Sequence, residues 1–115
     1  MPRIFVYGTL KRGFSNAAHL AGAVFIGNAA TTGGFALHIV SGYPALSRSD
    51  GGVVHGEVYE VTDGHLERLD DFEGVPDTYQ REEIELEDGT RAEAYVVTLE
   101  RVQGLPRLES GRFSE

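Results

Sequence analysis

Apolar positions recur along this chain in two rhythms, and most of them follow the shorter one. "RIFVY" (3–7) is a continuous apolar run, which predicts a buried strand ended by Gly8. "GGVVHGEVYEV" (51–61) alternates. Val54, Gly56, Val58 and Glu60 fall on one face of a strand, with Val53, His55, Glu57, Tyr59 and Val61 on the other. "AVFIGNAATTG", "FALHIV" and "PALSR" predict three more strands, with turns at Gly33-Gly34 and Gly42. "YQREEIEL" and "RAEAYVV" flank "EDGT", a hairpin turning on Asp88-Gly89. The rhythm changes at Leu66, Leu69 and Phe72, whose helical spacing is interleaved with Glu67, Arg68, Asp70 and Asp71. Thr62 or Asp63 is the expected cap of that helix, and Gly74 and Pro76 stop it. "NAAHLAG" (16–22) predicts a second short helix capped by Asn16. After Leu99 the pattern fades into a surface segment held by Leu105, Leu108 and Phe113.

Tight turns between successive strands require mostly antiparallel neighbours. The expectation is an α+β domain spanning residues 1–115, built as a small barrel or strongly curled sheet with short helices at one end. A doubly wound nucleotide fold is excluded, because it needs helical crossovers between parallel strands.

Composition narrows the chemistry. The chain holds no cysteine, which removes disulfides, a thiol nucleophile and thiolate metal sites. A formal net charge of −8 repels phosphate backbones, so no nucleic-acid partner is expected. The apolar run after Arg3 stops at Gly8, short of a leader or of the roughly 20 residues that cross a bilayer. The expectation is a soluble cytoplasmic protein with no membrane partner. His19, His38, His55 and His65 lack i, i+4 pairing, and "HGE" (55–57) has no P-C-x-x-C downstream, so no metal site is expected. Nor is there a G-x-S-x-G elbow for a serine nucleophile.

Two stretches remain as candidates. "YGTLKRG" (7–13) matches neither phosphate-loop pattern, yet a glycine straight after a buried strand can bend the chain and leave amides free for an anion. A plain β-turn is the alternative, and Lys11-Arg12 reads as a solvated corner. In "LDDFEGVPDTYQR" (69–81), Glu73 sits at the helix C-terminus. The dipole there disfavours a carboxylate, and shielding by Phe72 and Tyr79 would raise its pKa toward that of a general base. A solvated helix end is the alternative.

V-Y-G-T-L-K-R-G, then G-E-V-Y, then L-D-D-F-E-G followed by Y-Q-R resembles the γ-glutamylcyclotransferase family, nearest its γ-glutamylamine-cyclotransferase-like and AIG2-like branch. The resemblance runs from Ile4 to about Val97, and "GLPRLESGRF" is similar to the tail of small bacterial members. It implies a closed mixed β-barrel with two short flanking helices. It also implies a cofactor-free reaction, in which the α-amine of a small γ-glutamyl substrate attacks its own γ-carbonyl and releases an amine and 5-oxoproline. Carried over by motif, Tyr7, Gly8, Thr9 and Leu10 form the substrate loop and Glu73 is the acid/base. The loop amides would hold either the α-carboxylate or the oxyanion. Tyr79, in the family's Y-x-R segment, is expected as a pocket wall or hydrogen-bond donor, with a sheet-core role as the alternative. Arg81 is expected to be structural, and Tyr43-Pro44 to edge the pocket, with a cis bond allowed there. The competing functions are a small-carboxylate-binding module of the same fold, or a γ-glutamyl hydrolase or transferase.

Overall fold

The computed structural model describes residues 1–49 and 51–115. In chain order its strands are β1 (Arg3–Val6), β2 (Val24–Ala30), β3 (Phe35–Val40), β4 (Tyr43–Arg48), β5 (His55–Glu60), β6 (Gln80–Glu85) and β7 (Arg91–Val96). Helix α1 (Asp63–Glu73) lies between β5 and β6, the single turn α2 (Leu99–Val102) follows β7, and a 3₁₀ turn covers Ala17–Leu20. The strands form one mixed sheet in the order β2-β5-β1-β7-β4-β3, with β6 also on β7. Four ladders are antiparallel, as the short connections require. The two parallel contacts are single rungs on β7, Ile4↔Glu93 from β1 and Leu46↔Val96 from β4.

The α+β class therefore holds, but the expected closed barrel does not form. β2 and β3 end the strand path, and no ladder joins them. Among the described residues the ends of β2 and β6 meet through the isolated bridge Thr31↔Leu86, with the Thr32 hydroxyl donating to the Glu85 carbonyl beside it. The reason lies at β7. A strand has two edges, and β6 occupies β7 along its whole length from Arg91 to Val96. β1 and β4 divide what remains, so the sheet forks there instead of running round to meet its start. β2 is left as an edge strand, with Val24 and Ile26 exposed.

Strand alternation sorts the core. Phe5, Leu37, Leu46, Val54, Val58, Ile84 and Ala94, drawn from nearly every strand, form one apolar cluster. Ile4, Val6, Tyr59, Val61 and Tyr95 form a second on the opposite face, covered by Leu66 and Leu69 of α1. Burying a leucine in this way contributes about 1.5–3 kcal/mol. The Thr62 hydroxyl caps α1 by accepting the His65 N–H at 3.0 Å. Gly74 (φ 72°) ends the helix in the left-handed conformation, its N–H donating to Asp70 and Asp71 carbonyls.

Several expectations fail locally. Asn16 makes no side-chain cap, and the predicted second helix shrinks to the 3₁₀ turn. Its amide is diverted to Thr9, where Nδ2 donates to Oγ1 at 2.9 Å. Leu108 and Phe113 pack on the core as expected, but Leu105 is 39% exposed. The buried apolar side chain of this region is Val102 of α2, against Ala45 and Val97. Among the described residues the cis peptide bond is Val75–Pro76, not Tyr43–Pro44. No helix among them is long and apolar enough to cross a membrane.

Where β1 and β4 diverge along β7, the buried Tyr7 hydroxyl fills the fork. It donates to Tyr95 O at 2.6 Å and accepts from Leu46 N at 3.2 Å. Tyr7→Phe removes a buried donor and acceptor together, so we expect a loss of about 1–3 kcal/mol in urea denaturation, with an unchanged far-ultraviolet circular dichroism spectrum.

Candidate functional site

The fork opens into a cavity of about 420 Å³, within the range of small-molecule sites. Its lining brings together Tyr7, Gly8, Thr9, Leu10, Glu73 and Tyr79, the six residues singled out in the sequence. They come from three elements: the loop after β1, the end of α1 and the segment entering β6.

The loop has an unusual hydrogen-bond balance. The Gly8 carbonyl accepts Lys11 N at 3.1 Å, and the Thr9 carbonyl accepts Asn16 N at 2.9 Å. In a planar trans peptide the N–H points opposite to the C=O. Turning these two carbonyls into the loop therefore turns the N–H groups of Thr9 and Leu10 away from it. The N–H groups of Gly8, Thr9 and Leu10 have no acceptor among the described residues. Unpaired amides in a loop that lines a cavity are able to donate to a negative oxygen. The turn itself is a β-turn closed by the Lys11 N–H on the Gly8 carbonyl, and such a turn leaves its two central amides, Thr9 and Leu10, without a partner inside it.

Gly8 is required for space rather than for a positive φ. A Cβ there would lie 2.4 Å from Cγ of Pro44, whose ring cannot swing aside. The loop's cations point elsewhere. Lys11 Nζ donates to the Phe113 carbonyl at 2.8 Å, and the Arg12 guanidinium lies 3.8 Å over the Phe25 ring and 3.8 Å from Glu57. The C-terminal segment straps the loop again through Glu115, which accepts from Ser15 N and Oγ.

Glu73 and Asp70 stand one turn apart on α1 and meet opposite fates. Asp70 accepts Arg81 Nε at 2.9 Å and the Tyr95 hydroxyl at 2.8 Å, while Arg81 also reaches Glu93. Arg81 is thus an ion-pair hub that fixes α1 to β7. Glu73 has no hydrogen bond or ion pair from a described residue. Burial alone pushes its carboxyl up to about 7. Tyr79 is pushed up to about 12, by burial and then by Glu73, and its hydroxyl donates to Pro44 O at 2.8 Å. It stands as a wall whose proton is already committed. Tyr7 is held well above its ordinary range by burial first, and its hydroxyl is committed to the fork.

Sequence reasoning did not single out Asn16, Ser41, Tyr95 or Arg101 for this cavity, yet all four line it, beside Phe72, which it placed next to Glu73. Phe72 stacks on His19 at 3.8 Å between ring centroids. Ser41 (φ 51°) and Gly42 (φ 86°) make the left-handed pair that a two-residue hairpin turn demands, which sets Ser41 on the cavity wall. The "SG" dipeptide was the available signal for that turn. Nothing local marks Tyr95 or Arg101, which reach the cavity only through the sheet topology.

A family model described as gamma-glutamyl cyclotransferase, AIG2-like, matches residues 4–115. The chain is 41% identical over 87 residues to a Vibrio cholerae protein named "Putative gamma-glutamylcyclotransferase", covering 76% of this chain and 75% of that one. It is 41% identical over 95 residues to the gamma-glutamylaminecyclotransferase of Rattus norvegicus, covering 75% of this chain and 64% of the rat protein. The crystal structure of an AIG2-like protein from Mus musculus superposes with a TM-score of 0.82 at 36% identity, covering 95% of this chain and 86% of the mouse chain.

Two substitutions test this geometry without any ligand. A carboxyl titrating near 7 when folded and near 4.5 otherwise ionises first in the unfolded chain, so its stability cost grows as pH rises from 4.5 to 7 and is complete above. Glu73→Gln should therefore stabilise the fold by about 3 kcal/mol at pH 8, a gain that fades below pH 4.5. Urea unfolding across that window measures it, and a gain that is flat with pH refutes the unpaired, buried carboxylate. Gly8→Ala should cost about 1–3 kcal/mol by overpacking against Pro44, read as a lowered denaturation midpoint.

Proposed function

The chain belongs to the gamma-glutamyl cyclotransferase, AIG2-like family, and on that premise we propose that its cavity converts a small γ-glutamyl amide into 5-oxoproline and a free amine, with Glu73 as the acid/base. The observation that carries this reading is the pairing, on one cavity, of unpaired loop amides with an unpaired carboxyl titrating near neutrality.

The reaction supplies its own nucleophile. The substrate's α-ammonium, with a reference pKa of about 8, must lose a proton before its nitrogen can attack. Glu73, half ionised near pH 7, takes that proton. The nitrogen then bonds to the γ-carbonyl carbon, and the carbonyl oxygen becomes an oxyanion. As the oxyanion collapses, the bond to the outgoing nitrogen breaks and Glu73 gives its proton to that nitrogen. The ionised Glu73 then takes the second proton from the ring nitrogen, which leaves a neutral lactam, and passes it to the released amine, which departs as an ammonium. Atoms balance without water, metal or cofactor. The amides of Gly8, Thr9 and Leu10 supply dipoles for the α-carboxylate or the oxyanion. The aromatic walls of Tyr7 and Tyr79 hold the glutamyl arm folded, and close positioning of amine and carbonyl contributes several kcal/mol to the rate.

Incubation with a panel of γ-glutamyl amides should release 5-oxoproline from at least one, detected by mass spectrometry. kcat/KM should rise with pH through about 7, as Glu73 ionises. Glu73→Gln should lower turnover by roughly 10²–10⁴ while the protein stays folded. Free glutamate in place of the lactam would point to hydrolysis, and tight binding with no product would point to a carboxylate-binding module.

A further inference from the structure

The cavity has two chemically different ends. At one stand the loop amides and Glu73. At its exposed side, Arg101 is the only lysine or arginine among the described lining residues. Arg101 sits on α2, a turn moored by Val102, which is buried against Ala45 and Val97. The side chain thus projects from a fixed base into a largely exposed position. Its Nη1 donates to the Thr78 carbonyl, one residue before Tyr79. Nε and Nη2 have no partner among the described residues, and no described carboxylate pairs with the group. Both charges reach the Tyr79 hydroxyl, Glu73 raising its pKa and Arg101 lowering it, and of the two it is Arg101 that stands at the exposed side of the cavity.

Ring closure folds the glutamyl arm back on itself beside the loop and Glu73. The departing amine must then extend away from them, and the exposed opening of the cavity is where Arg101 waits. A guanidinium with a free Nε and Nη2 fork matches a carboxylate in two parallel hydrogen bonds and repels a second ammonium. Resting on the cyclotransferase reading of the cavity, we propose that Arg101 determines specificity on the leaving-group side, selecting γ-glutamyl compounds whose departing amine carries a carboxylate over those whose amine carries a further positive charge. Glu73 acts on the reacting bond, and Arg101 acts only on what hangs beyond it.

The test uses the γ-glutamyl amides of glycine, ethylamine and 1,4-diaminobutane, whose departing groups are anionic, neutral and cationic. The wild-type protein should favour the glycine amide over the diaminobutane amide by roughly 3–10-fold in kcat/KM, since an exposed charge pair contributes modestly but attraction of the carboxylate and repulsion of the ammonium act in the same direction. Arg101→Gln should remove that preference by raising KM for the glycine amide alone, Arg101→Lys should keep part of it, and Arg101→Glu should reverse it. The preference should also shrink in about 1 M salt, where screening is short-ranged. An Arg101→Gln loss shared equally by all three amides overturns the proposal, because the arginine would then hold the common glutamyl group or merely the Thr78 segment. Calorimetry with the same amides on the Glu73→Gln protein, with and without Arg101→Gln, separates this from the reaction itself. Charge-selective binding there, with no 5-oxoproline from the wild type, retires the cyclotransferase reading and keeps the assignment of Arg101. Equal binding of the three amides, or none, overturns it.

Discussion

Along one edge of β7 the strands β1 and β4 part company, and the Tyr7 hydroxyl holds the junction by donating to Tyr95 O and accepting from Leu46 N. Everything at the cavity follows from that fork. It delivers the chain leaving β1 beneath Pro44, so closely that residue 8 must lack a Cβ. It aims the carbonyls of Gly8 and Thr9 back into the loop and leaves their amide neighbours unpaired. The forked sheet leaves space there.

Helix α1 brings two carboxylates to the fork and treats them differently. Asp70 is neutralised by Arg81 and the Tyr95 hydroxyl, so it anchors the helix to the sheet. That anchoring presents Glu73 to the cavity with nothing to compensate it. An uncompensated buried carboxyl costs stability, and the same cost is what lifts its pKa into the range useful for proton transfer near neutrality. Stability and the proposed chemistry are opposed at this one side chain.

The outward course of Lys11 and Arg12 belongs to the same balance. An ammonium or guanidinium placed beside Glu73 would favour its ionised form and drag the pKa back toward 4.5. Both cations instead brace the loop from behind, on Phe113, Phe25 and Glu57, while neutral backbone dipoles face the cavity. The loop can attract a negative oxygen without discharging the base beside it. Arg101 is the exception among the described lining residues, and it stands at the exposed side of the cavity.

Local rules decided much of this protein from its sequence. Alternation gave strands their two faces, as Val54 and Val58 in one cluster and Tyr59 and Val61 in the other illustrate. Turn and cap residues set their ends at Gly74, Thr62 and Ser41-Gly42, because these depend on a residue's own φ and its nearest neighbours. The motif order, read as a family likeness, named the residues that line the cavity, though the part each plays in the reaction rests on proposal. What tertiary structure decided was pairing across long separations. The sequence of β7 cannot tell that β6 takes one whole edge while β1 and β4 share the other, so closure was expected where a fork formed. Asn16 was read as a cap because capping is local, and the Thr9 hydroxyl that claimed its side chain was brought there by the fold of the loop. Arg101, like Tyr95, carries no local mark at all. Its place on the cavity exists only once α2 is moored on the sheet, since no periodicity encodes which strand a turn will rest upon.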